Sequence, residues 1–189
     1  MSTIPKKKVL AISGSTRSNS TNHHLLQAIA ALTANDFDWA FWKGLSDIPP
    51  FNPDEDKETD TAPSPVLAFR QLLRESDGVI ICTPEYAHGV PGALKNAIDW
   101  TVSSADFSHK PTALITAATD GKYGHAALLE TLKVIEAKNI EQLQLLIPFV
   151  RTKINAGRIT DEATMKAIRQ LMDEFKKTVL QLPTVTIRS

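Results

Sequence analysis

The chain of 189 residues balances 21 Lys and Arg against 21 Asp and Glu, and 42% of its residues are hydrophobic. Zero formal net charge excludes a nucleic-acid binder that works by neutralising phosphates, and equally a strongly acidic carrier that finds partners by charge steering. The single Cys82 excludes an internal disulfide framework and a CxxC metal or redox pair.

The length predicts one domain, residues 1–189, with its own core. Lys6-Lys7-Lys8 is followed by only the apolar run 9–12, short of the roughly 7–15 residues of a secretory signal. The longest charge-free apolar stretches, such as 142–150, fall well short of the ~20 residues of a spanning helix. A cytoplasmic protein with no membrane partner is expected.

Strand and helix patterns then alternate. Residues 9–13 form an apolar run that ends in Gly14, a buried strand. Apolar positions 25, 26, 29, 30 and 32 give helical spacing over 21–34. Residues 37–41 are aromatic-rich and alternate, as in a strand. Pro63 and Pro65 mark the start of a helix over 66–75. Asp77-Gly78 opens a β-branched strand at 79–82. Pro91 opens a helix that runs to 102. A strand at 112–117, a helix over 122–137 and a strand at 143–147 follow, the last stopped by Pro148. Thr160-Asp161-Glu162 opens a final helix to about 182. This alternation predicts an α/β three-layer sandwich: a five-stranded parallel sheet with helices on both faces, in the flavodoxin-like order 2-1-3-4-5.

One connection, 46–65, is long and rich in proline. It holds Asp47, Asp54, Glu55, Asp56, Glu58 and Asp60 against one Lys57. A loop of this length is a solvated acidic loop, a lid over a site or an oligomer contact.

Open parallel sheets bind ligands beyond the carboxyl ends of their strands. Three such segments, 14–22, 84–92 and 119–125, hold five of the eight glycines: Gly14, Gly89, Gly92, Gly121 and Gly124. Glycine serves where backbone turns sharply or approaches a ligand closely. The first segment carries five hydroxyls (Ser15, Thr16, Ser18, Ser20 and Thr21), the amides Asn19 and Asn22, and Arg17, just before a helix. Hydroxyls, helix-start N–H groups and an Arg make a phosphate site. Ser20 or Thr21 alone reads equally as a helix cap. Neither GxxxxGK[ST] nor GxGxxG is present, so a monophosphate fits better than a nucleoside triphosphate or dinucleotide. In the second segment Pro84 and Pro91 stiffen a loop suited to a planar hydrogen-bonding ring, with Tyr86 placed to pack on it. Thr119-Asp120-Gly121 would close the other side.

These motifs resemble the NADPH-dependent FMN reductase family, flavodoxin-like flavoenzymes that reduce quinones, chromate and azo dyes. The phosphate loop is Gly14-Ser15-x-Arg17-x-x-Ser20-x-Asn22. The long signature is Thr83-Pro84-Glu85-Tyr86, four further residues, then Pro91-Gly92-Ala93-Leu94-Lys95-Asn96-Ala97-Ile98-Asp99-Trp100. Gly121-x-x-Gly124 matches the third loop. The resemblance covers residues 7 to 180. It implies that Ser15, Arg17, Ser20, Thr21 and Asn22 hold the FMN phosphate. It further implies that Pro84, Glu85, Tyr86, Ala87 and His88 meet the ring edge largely by main chain, and that Thr119, Asp120 and Gly121 flank the ring. NADPH or NADH would give a hydride to flavin N5, and a quinone, free flavin, azo dye or metal oxyanion would take the electrons. The cofactor carries the chemistry, so no catalytic acid or base is named. A homodimer or homotetramer is implied, with the helix from Pro91 and its Trp100 at the interface. The chain departs from the family at Ala87, where Asn is usual, and at His125, where Gly is usual and where an imidazole would narrow the nicotinamide approach. The alternative function is a flavodoxin-like FMN-binding electron-transfer module without NAD(P)H turnover.

Other residues read as structural. Lys95 and Asp99 suit an i,i+4 ion pair. The five histidines show no HxH or HExxH spacing, so no metal site is expected. His88 and His125, on ligand loops, are candidates to touch flavin or substrate. Cys82 is an inert core thiol, and Trp39 and Trp42 serve core or oligomer packing.

Overall fold

Five apolar runs become one parallel sheet in a computed structural model that describes residues 5–56, 61–155 and 157–181. Strands β1 (Lys7–Ser13), β2 (Phe37–Trp42), β3 (Gly78–Thr83), β4 (Thr112–Ala117) and β5 (Gln144–Ile147) pair in the order β2-β1-β3-β4-β5, every neighbour parallel. This is the flavodoxin-like order expected from the alternation. Helices α1 (Thr21–Leu32), α2 (Ser64–Glu75), α3 (Gly92–Asp99) and α4 (Lys122–Val134) connect the strands. After β5 come a short helix α5 (Val150–Lys153), a hairpin of β6 (Ile154–Asn155) and β7 (Arg158–Ile159), and the long helix α6 (Glu162–Leu180). The sequence pattern contained no sign of α5 or the hairpin. The predicted end of the last helix at 182 lies outside the described residues.

The strands read as continuous apolar runs because both faces are buried. On one face Val9, Ala11, Ile80 and Cys82 pack with Leu25 and Ile29 of α1 and with Ile168 and Phe175 of α6. On the other, Leu10, Ile12, Val79 and Ile81 pack with Phe69 and Leu73 of α2, Leu94 and Ile98 of α3, and Leu128 of α4. Each fully buried Leu, Ile or Phe contributes on the order of 1.5–3 kcal/mol. Trp39 and Trp42 are packing residues: Trp39 stacks on Phe41 and Trp42 lies 5.3 Å from Phe69. Helix α6 begins where the Asp161 carboxylate accepts the Thr164 N–H at 2.8 Å.

The long acidic connection is neither free nor a detached lid over its described length. Asn96 of α3 accepts the Phe51 N–H at 2.7 Å and donates to the Pro49 carbonyl at 2.8 Å. The Trp100 indole N–H also donates to Pro49, at 2.8 Å, and Phe51 meets its ring edge-on. Arg70 of α2 is fully buried and pairs with Asp56 at 2.6 Å, and it donates to the Trp100 carbonyl and to Ser103. Trp100 therefore corrects one expectation. It is fully buried within the subunit and anchors the connection rather than an interface. The acidic residues Glu58 and Asp60, with Lys57, lie outside the described residues.

Among the described residues no helix is long and apolar enough to cross a membrane. Nor does any group of three His, Cys, Asp or Glu stand close enough to hold a metal ion.

Candidate functional site

Parallel pairing brings the ends of β1, β3 and β4 to one edge, so their following loops meet. Gly14 allows the closest approach: a Cβ there would lie 2.2 Å from Thr83 Oγ1, and its N–H donates to the Cys82 carbonyl at 2.8 Å. The loops enclose a cleft of about 120 Å³. Ser15, Arg17, Ser20, Thr21 and Asn22 line it from the first loop, Pro84, Glu85 and Tyr86 from the second, and Thr119 from the third.

The first loop leaves its donors open. Ser20 holds the N-cap position of α1 but makes no side-chain cap bond, which removes the simple capping reading. The N–H groups of Thr21, Asn22 and His23 take no acceptor among the described residues. The Arg17 guanidinium, exposed, forms no ion pair there either. Open first-turn N–H groups carry the positive end of the helix dipole. Asn22 is buried, and its Oδ1 accepts the Cys82 thiol hydrogen at 3.2 Å. Burial pushes the Cys82 thiol well above its ordinary pKa, so it stays a neutral donor.

The second loop is a tight hairpin. Tyr86 and Gly89 exchange both backbone hydrogen bonds, at 3.1 and 2.9 Å, around Ala87 and His88. Both central residues have positive φ, 49° and 58°, the geometry for which Asn-Gly is favoured. Ala87 and His88 thus sit exposed at the turn tip and do not line the cleft. Glu85 was expected to act through its backbone. Its side chain in addition accepts the Gly124 N–H of α4 at 2.6 Å, clamping the second loop to the third. A Cβ on Gly124 would lie 3.0 Å from the Gly89 carbonyl and 3.1 Å from Glu85 Cγ, so glycine permits this contact.

In the third loop, Gly121 caps α4 at φ 91° and is buried, while Asp120 is exposed; neither lines the cleft. His125 corrects another expectation. Its Nε2 lies 2.8 Å from Gln144 Oε1 and its Nδ1 2.8 Å from Thr116 Oγ1. Gln144 Nε2 donates to the Glu141 carbonyl, so its Oε1 accepts from the imidazole. The ring bridges β4 and β5 and is not among the residues that line the cleft. His88 lies instead against exposed Tyr123, ring centroids 4.5 Å apart and planes tilted by 33°, and Tyr86 is likewise half-exposed. Lys95 and Asp99 pair at 2.6 Å, as their spacing suggested.

Four lining residues escaped the sequence reading: Ala117, Ala118, Val150 and Arg151. Ala117 ends β4, a strand already recognised, and Ala118 follows it. The last two belong to α5, whose four residues carry no periodicity.

Residues 7–152 match the family model described as NADPH-dependent FMN reductase. The chain belongs to that family. A 2-hydroxy-1,4-benzoquinone reductase from a Burkholderia species is 31% identical over 89% of this chain and 93% of its own length. An NAD(P)H-dependent FMN reductase from Pseudomonas aeruginosa is 32% identical over 93% and 96%. Among solved structures, a flavoenzyme NAD(P)H:acceptor oxidoreductase from Paracoccus denitrificans superposes with a TM-score of 0.74. It is 25% identical and covered over 98% of its chain, against 93% of this one. As a member of the FMN reductase family the protein is an FMN-dependent oxidoreductase that uses NADH or NADPH.

Proposed function

We propose that the cleft binds FMN through the residues of the three loops and passes electrons to a quinone or a free flavin. The observation that carries this reading is the unpartnered donor set of the first loop. Three first-turn N–H groups, the hydroxyls of Ser15, Ser20 and Thr21, and the Arg17 guanidinium converge without a carboxylate among them. That is the chemistry of a phosphate monoester site. Bound FMN supplies hydride acceptance from NAD(P)H at N5 and electron delivery to the acceptor.

The chain's own residues bind and orient. The Pro84–Tyr86 segment and the wall of Ala117, Ala118 and Thr119 would sandwich the ring edge, with the backbone N–H groups of Glu85 and Thr119 open toward it. Asp120 and Gly121 shape the third loop from behind, and Ala87 and His88 set the hairpin tip. No side chain is assigned a proton transfer. The Glu85 carboxylate is committed to Gly124, and the Cys82 thiol is buried. The half-exposed Tyr86 and Tyr123 with His88 give a flat acceptor an aromatic surface. Azo dyes and metal oxyanions are further acceptor classes, a homodimer or homotetramer is the proposed assembly, and the cytoplasm is the proposed location.

The test is a visible spectrum of the protein purified with FMN, followed by anaerobic addition of NADPH or NADH. Bleaching of a bound flavin band is expected. A stable yellow protein that does not bleach would favour the electron-transfer module, and a colourless protein would overturn the site.

A further inference from the structure

We propose that Arg151, delivered by the segment after β5, is a second cationic ligand of the FMN phosphate; this rests on the FMN site proposed above. A plain alternation would lead β5 directly into the last helix. Here the chain first inserts α5 and the β6–β7 hairpin. The insertion begins at Phe149, a bulky residue held at φ 55° and ψ 38°, in the left-handed region that such residues avoid. Two backbone bonds to the third loop hold it: Phe149 N–H to the Thr119 carbonyl at 3.0 Å and Val150 N–H to the Ala118 carbonyl at 3.1 Å. Val150 is buried in the core beside α1 and α6.

The hairpin then reaches back to α1. A Cβ on Gly157 would lie 3.9 Å from His24 Cβ in the first turn, and Ile159 packs on the same core. The insertion therefore bridges the third loop and the first turn of α1, and Arg151 lines the cleft that both share with Arg17. The Arg151 side chain, exposed, makes no ion pair or hydrogen bond to any described residue. Glu85 is the one carboxylate among the lining residues, and its Oε2 is held by Gly124. Two guanidinium groups and a helix N-terminus thus face one cleft whose single lining carboxylate, Glu85, is turned to the Gly124 N–H. A phosphate monoester, carrying about −1.5 to −2 at pH 7, offsets both.

The experiment titrates the apoprotein with FMN and with riboflavin, following flavin fluorescence, for the wild type, Arg151→Ala, Arg151→Lys and Arg17→Ala. Arg151→Ala is expected to weaken FMN binding about tenfold, the loss of roughly one charge-assisted hydrogen bond, and to leave riboflavin unchanged. Arg151→Lys should keep part of the affinity, because it retains the charge and loses the fork. Unchanged FMN affinity in Arg151→Ala, with Arg17→Ala weakened, would overturn the role of Arg151 and spare the site. Equal losses for FMN and riboflavin would overturn it too, since the residue would then act on the ring or through packing. FMN affinity unchanged in both Ala variants would overturn the phosphate site itself.

Discussion

The first loop and the second segment meet in one cleft, yet they use their polar groups in opposite ways. In the first loop the N-cap hydroxyl, three first-turn N–H groups and the Arg17 guanidinium take no partner among the described residues. In the segment from Pro84 to Trp100 the Glu85, Lys95, Asn96, Asp99 and Trp100 side chains are engaged within the fold. Glu85 holds Gly124, Asn96 and the Trp100 indole hold the Pro49 carbonyl, and Lys95 holds Asp99. The longer motif is mostly scaffold, and the shorter one is mostly open to a ligand. Removing a scaffold residue should therefore cost folding stability, and removing a first-loop residue should cost cofactor affinity.

The largest test of that contrast is Arg70→Ala. It removes the buried cation that pairs with Asp56 and donates to the Trp100 carbonyl, and leaves the Asp56 carboxylate with the Ser103 hydroxyl among the described residues. A loss of about 3–5 kcal/mol is expected, as for a broken buried ion pair, read as a lower urea midpoint. A loss under about 1 kcal/mol would mean the acidic connection is not clamped as described.

Next is Gly124→Ala, which sets a methyl 3.0 Å from the Gly89 carbonyl. Displacement of the hairpin is expected to cost about 1–3 kcal/mol, and FMN affinity should fall with it. Stability lost with affinity intact would separate the hairpin from the cofactor site.

Ser20→Ala sharpens the other side. Because the hydroxyl caps nothing, apoprotein stability should change by less than about 0.5 kcal/mol, while FMN binding weakens several-fold. A drop in apoprotein stability with unchanged FMN binding would return Ser20 to a capping role.

The smallest effect concerns pH. His23, beside the first loop, has its pKa lowered from 6.5 by burial first, then by the charges of His24 and Lys43. The unfolded chain binds this proton more readily. The neutral form's contribution is therefore present above about pH 6.5 and lost as pH falls through that value toward the lowered folded one. His23→Gln should flatten the decline of stability on acidification below pH 6.5, in urea melts across pH 5 to 7.5. An unaltered slope would place the acid sensitivity elsewhere.

Some of this was legible early. Val9 to Ile12, Val79 to Cys82 and Thr112 to Ala117 are apolar on both faces, and only a parallel sheet covered twice satisfies that pattern. Pro65 in the first turn of α2 and Asp161 before α6 are local signals, so those boundaries fell within two residues. The first-loop hydroxyls were legible because their density exceeds what one helix cap uses. Trp100 was misread because an aromatic at the end of an amphipathic helix suits an interface and a core equally well. His125 was misread because the partners that engage it, Thr116 and Gln144, lie on two other elements.

What the amino-acid sequence determined by itself was whatever depends on near neighbours along the chain: the five strands, their covering helices, and the polar loop ahead of α1. Tertiary structure alone decided what depends on residues far apart. It folded the long connection onto Asn96 and Trp100, turned Glu85 toward Gly124, and carried Arg151 back to α1. The physical reason is that a hydrogen bond or ion pair needs a few ångströms of spatial separation and places no demand on separation along the chain. Its partners become visible only once the sheet has brought the strand ends together.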